Sequence, residues 1–268
     1  MKGITMTAPT TEVVISTLHD DGVLELVINR PDRMNALSTE VKDLLQAGLL
    51  RASSDPAVTA VLLRGEGGRS FAAGQDLGEA AQFTAESVGP WIDSFYGLYT
   101  SILECTKPTI AGVDGFALGA GFQVAMLCDI RIASDAAKFA MPEVDDAIPC
   151  ITGTWTLYDI IGHARTADMV LTGRFLSAEE AAEWGLVRDV VPQAEFHKRA
   201  LELASLVGSK PTIAVQMNKR FLVDLLNREW PATESFARKA HKVAFASDAP
   251  QARMRDFLAH KRDERMAY

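Results

Sequence analysis

The chain has 268 residues, of which 48% are hydrophobic, enough to bury the core of one large domain or of a domain with an appendage. Its 35 acidic residues outnumber its 27 lysines and arginines, which gives a formal net charge of −8. This charge excludes a general nucleic-acid surface, because a phosphate backbone requires clustered basic residues.

The cysteines, histidines and apolar runs exclude further classes. Cys105, Cys128 and Cys150 are odd in number and lie in apolar stretches, so they predict reduced core thiols. The histidines lack the spacing of metal ligands, which predicts no metal site. No apolar run reaches the roughly 18 residues of a membrane span, and residues 1–9 lack the apolar core of a secretory signal. We therefore expect a cytoplasmic protein with no membrane partner.

Strands and helices are predicted to alternate along the first part of the chain. The strands are expected at residues 13–16, 23–28, 58–63, 109–113, 130–133 and 187–191, where β-branched and aliphatic residues cluster. Ser38 is a suitable N-cap for a helix with apolar residues at helical spacing.

The later part of the chain carries several helix signals. Ser177 and Glu180 form a capping-box pattern for a short helix that ends at Gly185. From Pro211 onward helices alone are expected, and new helices begin near Pro231 and Pro250.

The stretch Gly119-Ala120-Gly121-Phe122-Gln123 places small residues where a helix should begin after a strand. The first N–H groups of a helix have no intrahelical partner and lie at the positive end of its dipole. Such a site can hold a developing negative oxygen, and small side chains would let a substrate carbonyl approach the backbone. The same residues could instead serve only the tight packing of helix on strand.

A second segment rich in small residues, 64–77, follows the strand expected at 58–63 and is predicted to be a loop. One N–H donor from each segment would form an oxyanion hole. The loss of a single donor from such a site typically costs about 2.7–4 kcal/mol of transition-state stabilisation.

Five motifs occur in an order that is typical of one family. They are residues 29–37 (NRPDRMNAL), 70–77 (SFAAGQDL), 115–121 (GFALGAG), the pair Pro142-Glu143, and the segment from 171–173 (LTG) to 185–187 (GLV). Over nearly its whole length, the chain therefore resembles the enoyl-CoA hydratase/isomerase family, also called the crotonase superfamily.

The resemblance implies an α/β fold, a crotonase-like spiral of repeated ββα units with a C-terminal helical region. Residues 1–200 would form the spiral core with the coenzyme A thioester site. Residues 201–268 would form the helical region, which takes part in oligomerisation and covers the site. The implied assembly is a homotrimer or a dimer of trimers.

The resemblance also implies enolate chemistry on an acyl-CoA substrate. The backbone N–H groups of Gln75 and Ala120 would hold the thioester oxygen, and the substrate would bring the coenzyme A, so no permanently bound cofactor is expected. Glu143 matches one of the two glutamates that family hydratases use. The other position is Gln123, whose amide does not titrate and cannot act as a general base.

A single carboxylate can remove a proton from one carbon and return it to another. The pattern therefore favours enoyl-CoA isomerisation, as in the Δ3,Δ2-enoyl-CoA isomerases of the family. The alternatives are hydration, hydrolysis or retro-aldol cleavage with a water that Gln123 orients, and a non-catalytic acyl-CoA-binding homologue. A dinucleotide-binding enzyme is not favoured, because the glycines at 115–121 lack the G-x-G-x-x-G order.

The residues that follow Glu143 leave alternatives open. Asp145 and Asp146 could face the pocket and raise the proton affinity of Glu143, or they could form a solvated loop. Cys150 has no histidine near it in sequence that could activate its thiol.

An anionic coenzyme requires local positive charge, for which Arg30 and Arg33 are candidates. The resemblance adds Ala73, Asp76 and Leu77 near the first donor, and Phe257 and Lys261 near the C-terminus. Each basic residue could instead be an ordinary solvated surface charge.

Aromatic residues suggest the character of the acyl pocket. Phe83, Trp91, Phe95 and Tyr99 would make it largely apolar, or they could be the buried face of a helix. In the C-terminal region, Trp230, Phe236, Phe245 and Phe257 could be interface anchors or ordinary core.

Overall fold

The computed structural model of the chain describes the backbone of residues 12–226 and 228–266, and the side chains of these ranges up to residue 260. Its strands are β1 Val14–Leu18, β2 Val23–Ile28, β3 Ala60–Gly65, β4 Ser70–Ala72, β5 Thr109–Val113, β6 Phe116–Leu118, β7 Ile130–Ser134, β8 Lys138–Ala140, β9 Leu176–Ser177 and β10 Asp189–Val191. Its α-helices are α1 Thr39–Ser54, α2 Leu77–Ala80, α3 Val88–Leu103, α4 Ala120–Leu127, α5 Ile151–Thr172, α6 Ala178–Glu183, α7 Phe196–Gly208, α8 Thr212–Leu226, α9 Trp230–Phe245 and α10 Ala249–Met266.

The strands form two sheets. The larger sheet has the order β1-β2-β3-β5-β7-β10, in which β1 runs antiparallel to β2 and the remaining neighbours are parallel. The smaller sheet has the order β4-β6-β8-β9, with β9 antiparallel. The pairs β3–β4, β5–β6 and β7–β8 each give one strand to each sheet before the chain enters a helix. Repetition of this ββα unit makes the chain a spiral.

Strand β2 shows why the larger sheet is buried on both faces. All six of its residues are buried, and successive side chains of a strand point to opposite faces. Leu24, Leu26 and Ile28 belong to the main core, which includes residues of α1 and α3. Val23 points the other way, into a smaller core formed with Phe196 and other residues of α7.

The strand predictions correspond to the larger sheet, with shifts of up to two residues at most ends and an exact match for β2 and β5. Ser38 caps α1 by accepting from the Val41 N–H, and Ser177 and Glu180 form the capping box of α6. The prediction that residues 64–77 are a loop was wrong in part, since Gly65 ends β3 and Ser70–Ala72 forms β4. The strands of the smaller sheet have only two or three residues, too few for a period-two pattern.

From Pro211 on, the described residues form helices and no strand. The expected boundary at residue 200 falls within α7, and Ala200 and Leu203 pack in the same small core. Trp230 and Phe245 are buried, whereas Phe236 is 61% exposed and Phe257 is 44% exposed. Residues 1–9, on which the expectation about a secretory signal depends, lie outside the described residues.

Two further expectations concern cysteines and membranes. Cys105, Cys128 and Cys150 are all buried and free, as predicted. Across residues 12–226 and 228–266, no helix combines the length and the apolar character needed to cross a membrane.

Candidate functional site

A cavity of about 360 Å³ lies where the two small-residue segments meet α3 and the C-terminal helices. Gln75, Ala120, Gln123 and Glu143 all line it. The structure thus brings together the four residues that sequence analysis selected for the chemistry.

The first loop, residues 73–76, joins β4 to α2. Leu37 binds the residue before Gln75 and the residue after it. The Leu37 N–H donates to the Gly74 carbonyl at 2.8 Å, and the Asp76 N–H donates to the Leu37 carbonyl at 3.3 Å. The Gln75 N–H between them donates to no group in the described part of the chain. A fixed loop therefore presents an unused donor on the cavity wall.

The second loop, residues 119–121, joins β6 to α4. Gly119 has a φ of 50°, in the left-handed region that favours glycine, and its N–H donates to the Ala140 carbonyl at 2.9 Å. Ala120 is the first residue of α4, and its N–H also finds no acceptor among the described residues. A Cβ placed on Gly74 would lie 3.8 Å from the Ala120 nitrogen, so the two loops approach closely.

Glu143 lies against the second loop. It follows Pro142 in a short 3-10 turn, and its backbone carbonyl accepts from the Ile148 N–H at 2.9 Å. A Cβ on Gly119 would lie 3.3 Å from Glu143 Oε1, so a side chain there would crowd the carboxylate. The other oxygen, Oε2, is buried and has no well-formed hydrogen bond to a described residue.

Gln123 connects Glu143 to α3. Its Nε2 donates to Glu143 Oε1 at 2.7 Å, and its Oε1 accepts from the Tyr99 hydroxyl at 2.8 Å. Burial raises the pKa of Tyr99 well above its ordinary value, so the phenol stays a donor. With its oxygen bound by Tyr99, the Gln123 side chain presents its NH2 group to Glu143.

Burial raises the pKa of Glu143 to about 7. Its own backbone N–H, the Cys150 thiol and the Gln123 amide partly oppose this effect, and the Asp146 charge adds a small increase. The Glu143 carboxyl group is therefore poised to gain or lose a proton near neutral pH.

The two aspartates after Glu143 both line the cavity. Burial and the neighbouring Asp145 charge raise the pKa of Asp146, while Arg253 lowers it. Cys150 is buried next to Glu143, and burial raises the pKa of its thiol well above the ordinary value. A thiol in this setting is not an activated nucleophile.

The residues expected near the coenzyme separate into three groups. Ala73, Leu77 and Phe257 line the cavity. Arg30, Arg33 and Asp76 are not among the residues that line it. Side chains beyond residue 260, including that of Lys261, lie outside the described residues.

Arg30 and Asp76 have structural partners. Arg30 Nη2 contacts Asp76 Oδ2 at 2.9 Å, and Asp76 Oδ1 accepts from the Gly78 N–H at the start of α2. The Arg33 side chain is 63% exposed.

The aromatic residues of α3 both line the cavity and form the buried face of the helix, the two roles that the sequence left open. Trp91, Phe95 and Tyr99 are the buried face of that helix and also line the cavity, whereas Phe83 packs on Trp91 beside it. His241 of α9 lines the cavity as well, and sequence analysis missed it. The sequence pattern around a single histidine in a helix does not indicate a binding residue. The packing of α9 on α3 brings His241 to the cavity.

Comparisons with known proteins identify relatives of the whole chain. A family model described as enoyl-CoA hydratase/isomerase matches residues 19–265. Carboxymethylproline synthase of Pectobacterium carotovorum subsp. carotovorum is 31% identical over 244 residues, which cover 91% of this chain and 98% of that protein. A short-chain-enoyl-CoA hydratase of Clostridium acetobutylicum is 31% identical over 249 residues, with 92% and 95% covered.

A solved structure supports the fold directly. The crystal structure of an enoyl-CoA hydratase/isomerase from Xanthobacter autotrophicus Py2 superimposes with a TM-score of 0.85 at 29% identity, covering 95% of this chain and 94% of that one. The α/β spiral fold and the family resemblance expected from the sequence are thereby confirmed.

Proposed function

The chain belongs to the enoyl-CoA hydratase/isomerase family, and from this premise we propose that it moves the double bond of a 3-enoyl-CoA thioester into conjugation. One observation carries the proposal. Glu143 is buried in the cavity that Gln75 and Ala120 also line, its pKa is raised to about 7, and its carboxylate accepts a hydrogen bond from an amide, Gln123.

The proposed first step is removal of a proton from C2 of the ester by the ionised Glu143 carboxylate. The C2–H bond breaks, and its electron pair delocalises onto the thioester oxygen. The N–H groups of Gln75 and Ala120 hold that oxygen, as in an oxyanion hole. The positive end of the α4 dipole adds to this stabilisation.

The second step returns the same proton to C4. The electron pair moves back from the oxygen, the double bond forms between C2 and C3, and the protonated Glu143 becomes a carboxylate again. No water or further acid is consumed. One group with a pKa near neutrality suits both the acceptance and the return of the proton.

The role of Gln123 in this scheme is to orient the base. Both polar ends of its side chain are engaged, by Tyr99 and by Glu143. An amide in this position can neither abstract nor deliver a proton at neutral pH. This arrangement favours a reaction that needs one proton-transfer group.

Hydration of a 2-enoyl-CoA is the second candidate function. Asp146 supports it, because this second carboxylate lines the same cavity and has a raised pKa. The hydratase name of the Clostridium acetobutylicum relative also agrees with it.

The site residues support further proposals on substrate binding. The cavity position of Ala73, Leu77 and Phe257 fits contacts with an acyl-CoA. Arg33 fits a role at the anionic end of the coenzyme because its side chain is exposed and its contact with Asp32 is long, 3.9 Å.

The deciding experiment offers the pure protein a medium-chain 3-enoyl-CoA and, separately, the 2-enoyl-CoA. The proposal expects the 3-enoyl ester to become the conjugated ester with no change in mass, followed by the absorbance of the conjugated thioester. Glu143→Gln should reduce this rate by about 10²–10⁴-fold.

A gain in mass of one water on the 2-enoyl ester, without isomerisation of the 3-enoyl ester, would overturn the proposal in favour of hydration. Asp146→Asn is the matched control. It should leave isomerisation in place, and it should abolish water addition if Asp146 is the second acid.

A further inference from the structure

His241 is a polar residue in an otherwise largely aromatic part of the cavity. It extends from α9 and packs edge-on against Trp91, with ring centroids 5.9 Å apart. Its Nδ1 lies 2.8 Å from the Ala237 carbonyl oxygen one turn earlier in the same helix. This contact fixes the ring and determines which nitrogen carries the proton.

A carbonyl oxygen only accepts hydrogen bonds, so Nδ1 must be the donor. Burial lowers the pKa of His241, which keeps the ring neutral at pH 7. A neutral ring with its proton on Nδ1 leaves Nε2 as an acceptor. Nε2 has no hydrogen-bond partner in the described part of the chain.

Residues along α3 give the approximate distance from the candidate catalytic residues to His241. Tyr99 contacts Gln123, while Phe95 and Trp91 follow at spacings of four residues, and Trp91 contacts His241. The eight residues from Tyr99 to Trp91 rise about 12 Å along the helix. An extended chain advances about 3.5 Å for every three bonds, so about ten bonds span this length.

The extent of the cavity agrees with that length. The cavity of about 360 Å³ extends from Gln75, Ala120 and Glu143 to His241, so it has room for an acyl chain between them. This extent fits an acyl chain of medium length. A purely aliphatic chain that reaches His241 would displace water from Nε2 and supply no donor in its place, which costs free energy.

We propose that His241 Nε2 accepts a hydrogen bond from a hydroxyl group at the far end of the acyl group. The substrate class is therefore a medium-length acyl-CoA whose chain is apolar up to a terminal hydroxyl. This inference rests on the proposed function only in that it places the thioester next to Glu143. The hydroxyl can be attached to an aliphatic chain or to an aromatic ring. The test examines the two kinds of ester separately.

The test measures binding of saturated esters, which cannot undergo isomerisation or hydration. Calorimetry compares 10-hydroxydecanoyl-CoA with decanoyl-CoA, and 5-(4-hydroxyphenyl)pentanoyl-CoA with 5-phenylpentanoyl-CoA. In at least one pair the hydroxylated ester should bind about three- to tenfold more tightly, the range of one hydrogen bond between uncharged groups. The methoxy analogue of the preferred ester should lose this advantage, because an ether cannot donate.

His241→Phe keeps a ring against Trp91 and removes the acceptor. It should abolish the preference by weakening the hydroxylated ester alone. His163→Phe is the matched control, since His163 is exposed on α5 and does not line the cavity. It should retain the preference in full.

Equal affinities within both pairs for the wild-type protein would overturn the inference, whatever the behaviour of the variants. A preference that survives in His241→Phe, or that the methoxy ester shares, would overturn it too. Failure of the proposed function gives a different result. In that case the hydroxyl preference persists in binding while no 3-enoyl ester is isomerised.

Discussion

The Glu143 carboxyl group is buried against the second loop and accepts a hydrogen bond from the Gln123 amide. Its pKa is raised to about 7, mainly by burial. A proton-transfer group works best when its pKa is near the operating pH. The local environment therefore matters more for the chemistry than the residue type alone.

This pKa predicts the pH dependence of turnover. The ionised form of Glu143 is the base, so kcat/KM for a 3-enoyl-CoA should rise about tenfold per pH unit below 7 and level off above it. Initial rates between pH 5 and pH 9 provide the measurement. A profile whose midpoint lies near 4.5, the ordinary value for glutamate, would contradict the assigned environment.

The same shift predicts that Glu143 destabilises the fold at high pH. Its folded pKa of about 7 exceeds the ordinary 4.5, so its favourable contribution is complete below pH 4.5 and is lost as the pH rises through 7. Glu143→Gln is neutral at every pH and should unfold later than wild type, by up to about 3 kcal/mol at pH 8 and under about 1 kcal/mol at pH 5. Urea unfolding at both pH values measures the two differences. A variant that is less stable than wild type at pH 8 would contradict the argument.

Tyr99 is a positioning residue, because it acts on Glu143 only through Gln123. Tyr99→Phe removes the donor that holds Gln123 Oε1, so the Gln123 amide is held less firmly against Glu143. Loss of one hydrogen bond between uncharged groups should lower kcat by about two- to tenfold. Because the Gln123 N–H lowers the pKa of Glu143, the midpoint of the kcat/KM profile should move to higher pH.

The control for Tyr99→Phe lies one helical turn away. Tyr96→Phe removes a hydroxyl that bonds Thr152 at 2.9 Å and does not touch Gln123. Its pH midpoint should stay at the wild-type value. Equal shifts in the two variants would show a general loosening of α3 instead of a specific effect on Glu143.

At the scale of secondary structure, the start of α4 depends on close contact with β4. Gly121 is the second residue of α4, and a Cβ there would lie 2.1 Å from the backbone oxygen of Ala72. Backbone cannot move aside as a flexible side chain can. The first turn of this helix therefore requires glycine for its packing and for the position of the Ala120 N–H.

Gly121→Ala should destabilise the fold by about 1–3 kcal/mol or more, as overpacking does, and should lower turnover by displacing the donor. Gly89 is a matched position, since it is the second residue of α3 and a Cβ there would meet no described atom within 4 Å beyond its own helix backbone. Gly89→Ala should be neutral or stabilise by up to about 1 kcal/mol. Thermal unfolding of both variants tests the contrast, and similar losses in both would contradict it.

The elements differ in how well the sequence predicts them. The buried strands of the larger sheet are predictable because β2, β3 and β5 consist mainly of β-branched and aliphatic residues between turn residues. Strands β4, β6 and β9 are not predictable, because they exist only through pairing between successive turns of the spiral.

The candidate site divides in the same way. Local motifs that are typical of two loops and a turn predict the positions of Gln75, Ala120 and Glu143. The roles of Tyr99 and His241 do not follow from local motifs, because each depends on a helix that packs against residues distant in sequence. Hydrophobic periodicity identifies the buried face of α3 but not the atom that its phenol will reach.

At the scale of the whole molecule, one exposed face has no partner in the described part of the chain. Ile213, Met217, Phe221 and Leu225 recur every four residues on α8, and each is more than 40% exposed. An apolar stripe of this kind is typical of an interface. It supports the proposed assembly into a homotrimer or a dimer of trimers, which stays a prediction.

A cluster of hydrogen bonds around a buried carboxylate links distant parts of the fold. Glu25 of β2 is 4% exposed and contacts His19, Arg64 of β3 and His197 of α7. The hydrogen bonds from these three residues outweigh the effect of burial and lower the pKa of Glu25 to about 2. The carboxylate thus holds the β1–β2 turn, the sheet and α7 together.

Glu25→Gln should therefore destabilise the protein in a pH-dependent way. The folded pKa of about 2 is below the ordinary 4.5, so the contribution of Glu25 is present above pH 4.5 and is lost as the pH falls toward 2. The variant should lose about 2–3 kcal/mol of unfolding free energy at pH 7 and about half of that at pH 3. Urea unfolding at the two pH values tests the change.

Glu66→Gln is the matched control, because Glu66 contacts the same Arg64 with a side chain that is 43% exposed, and such a pair contributes about 0–1 kcal/mol. Equal losses in the two variants, or a Glu25→Gln loss that does not shrink at pH 3, would show that the cluster does not stabilise the fold through the Glu25 charge.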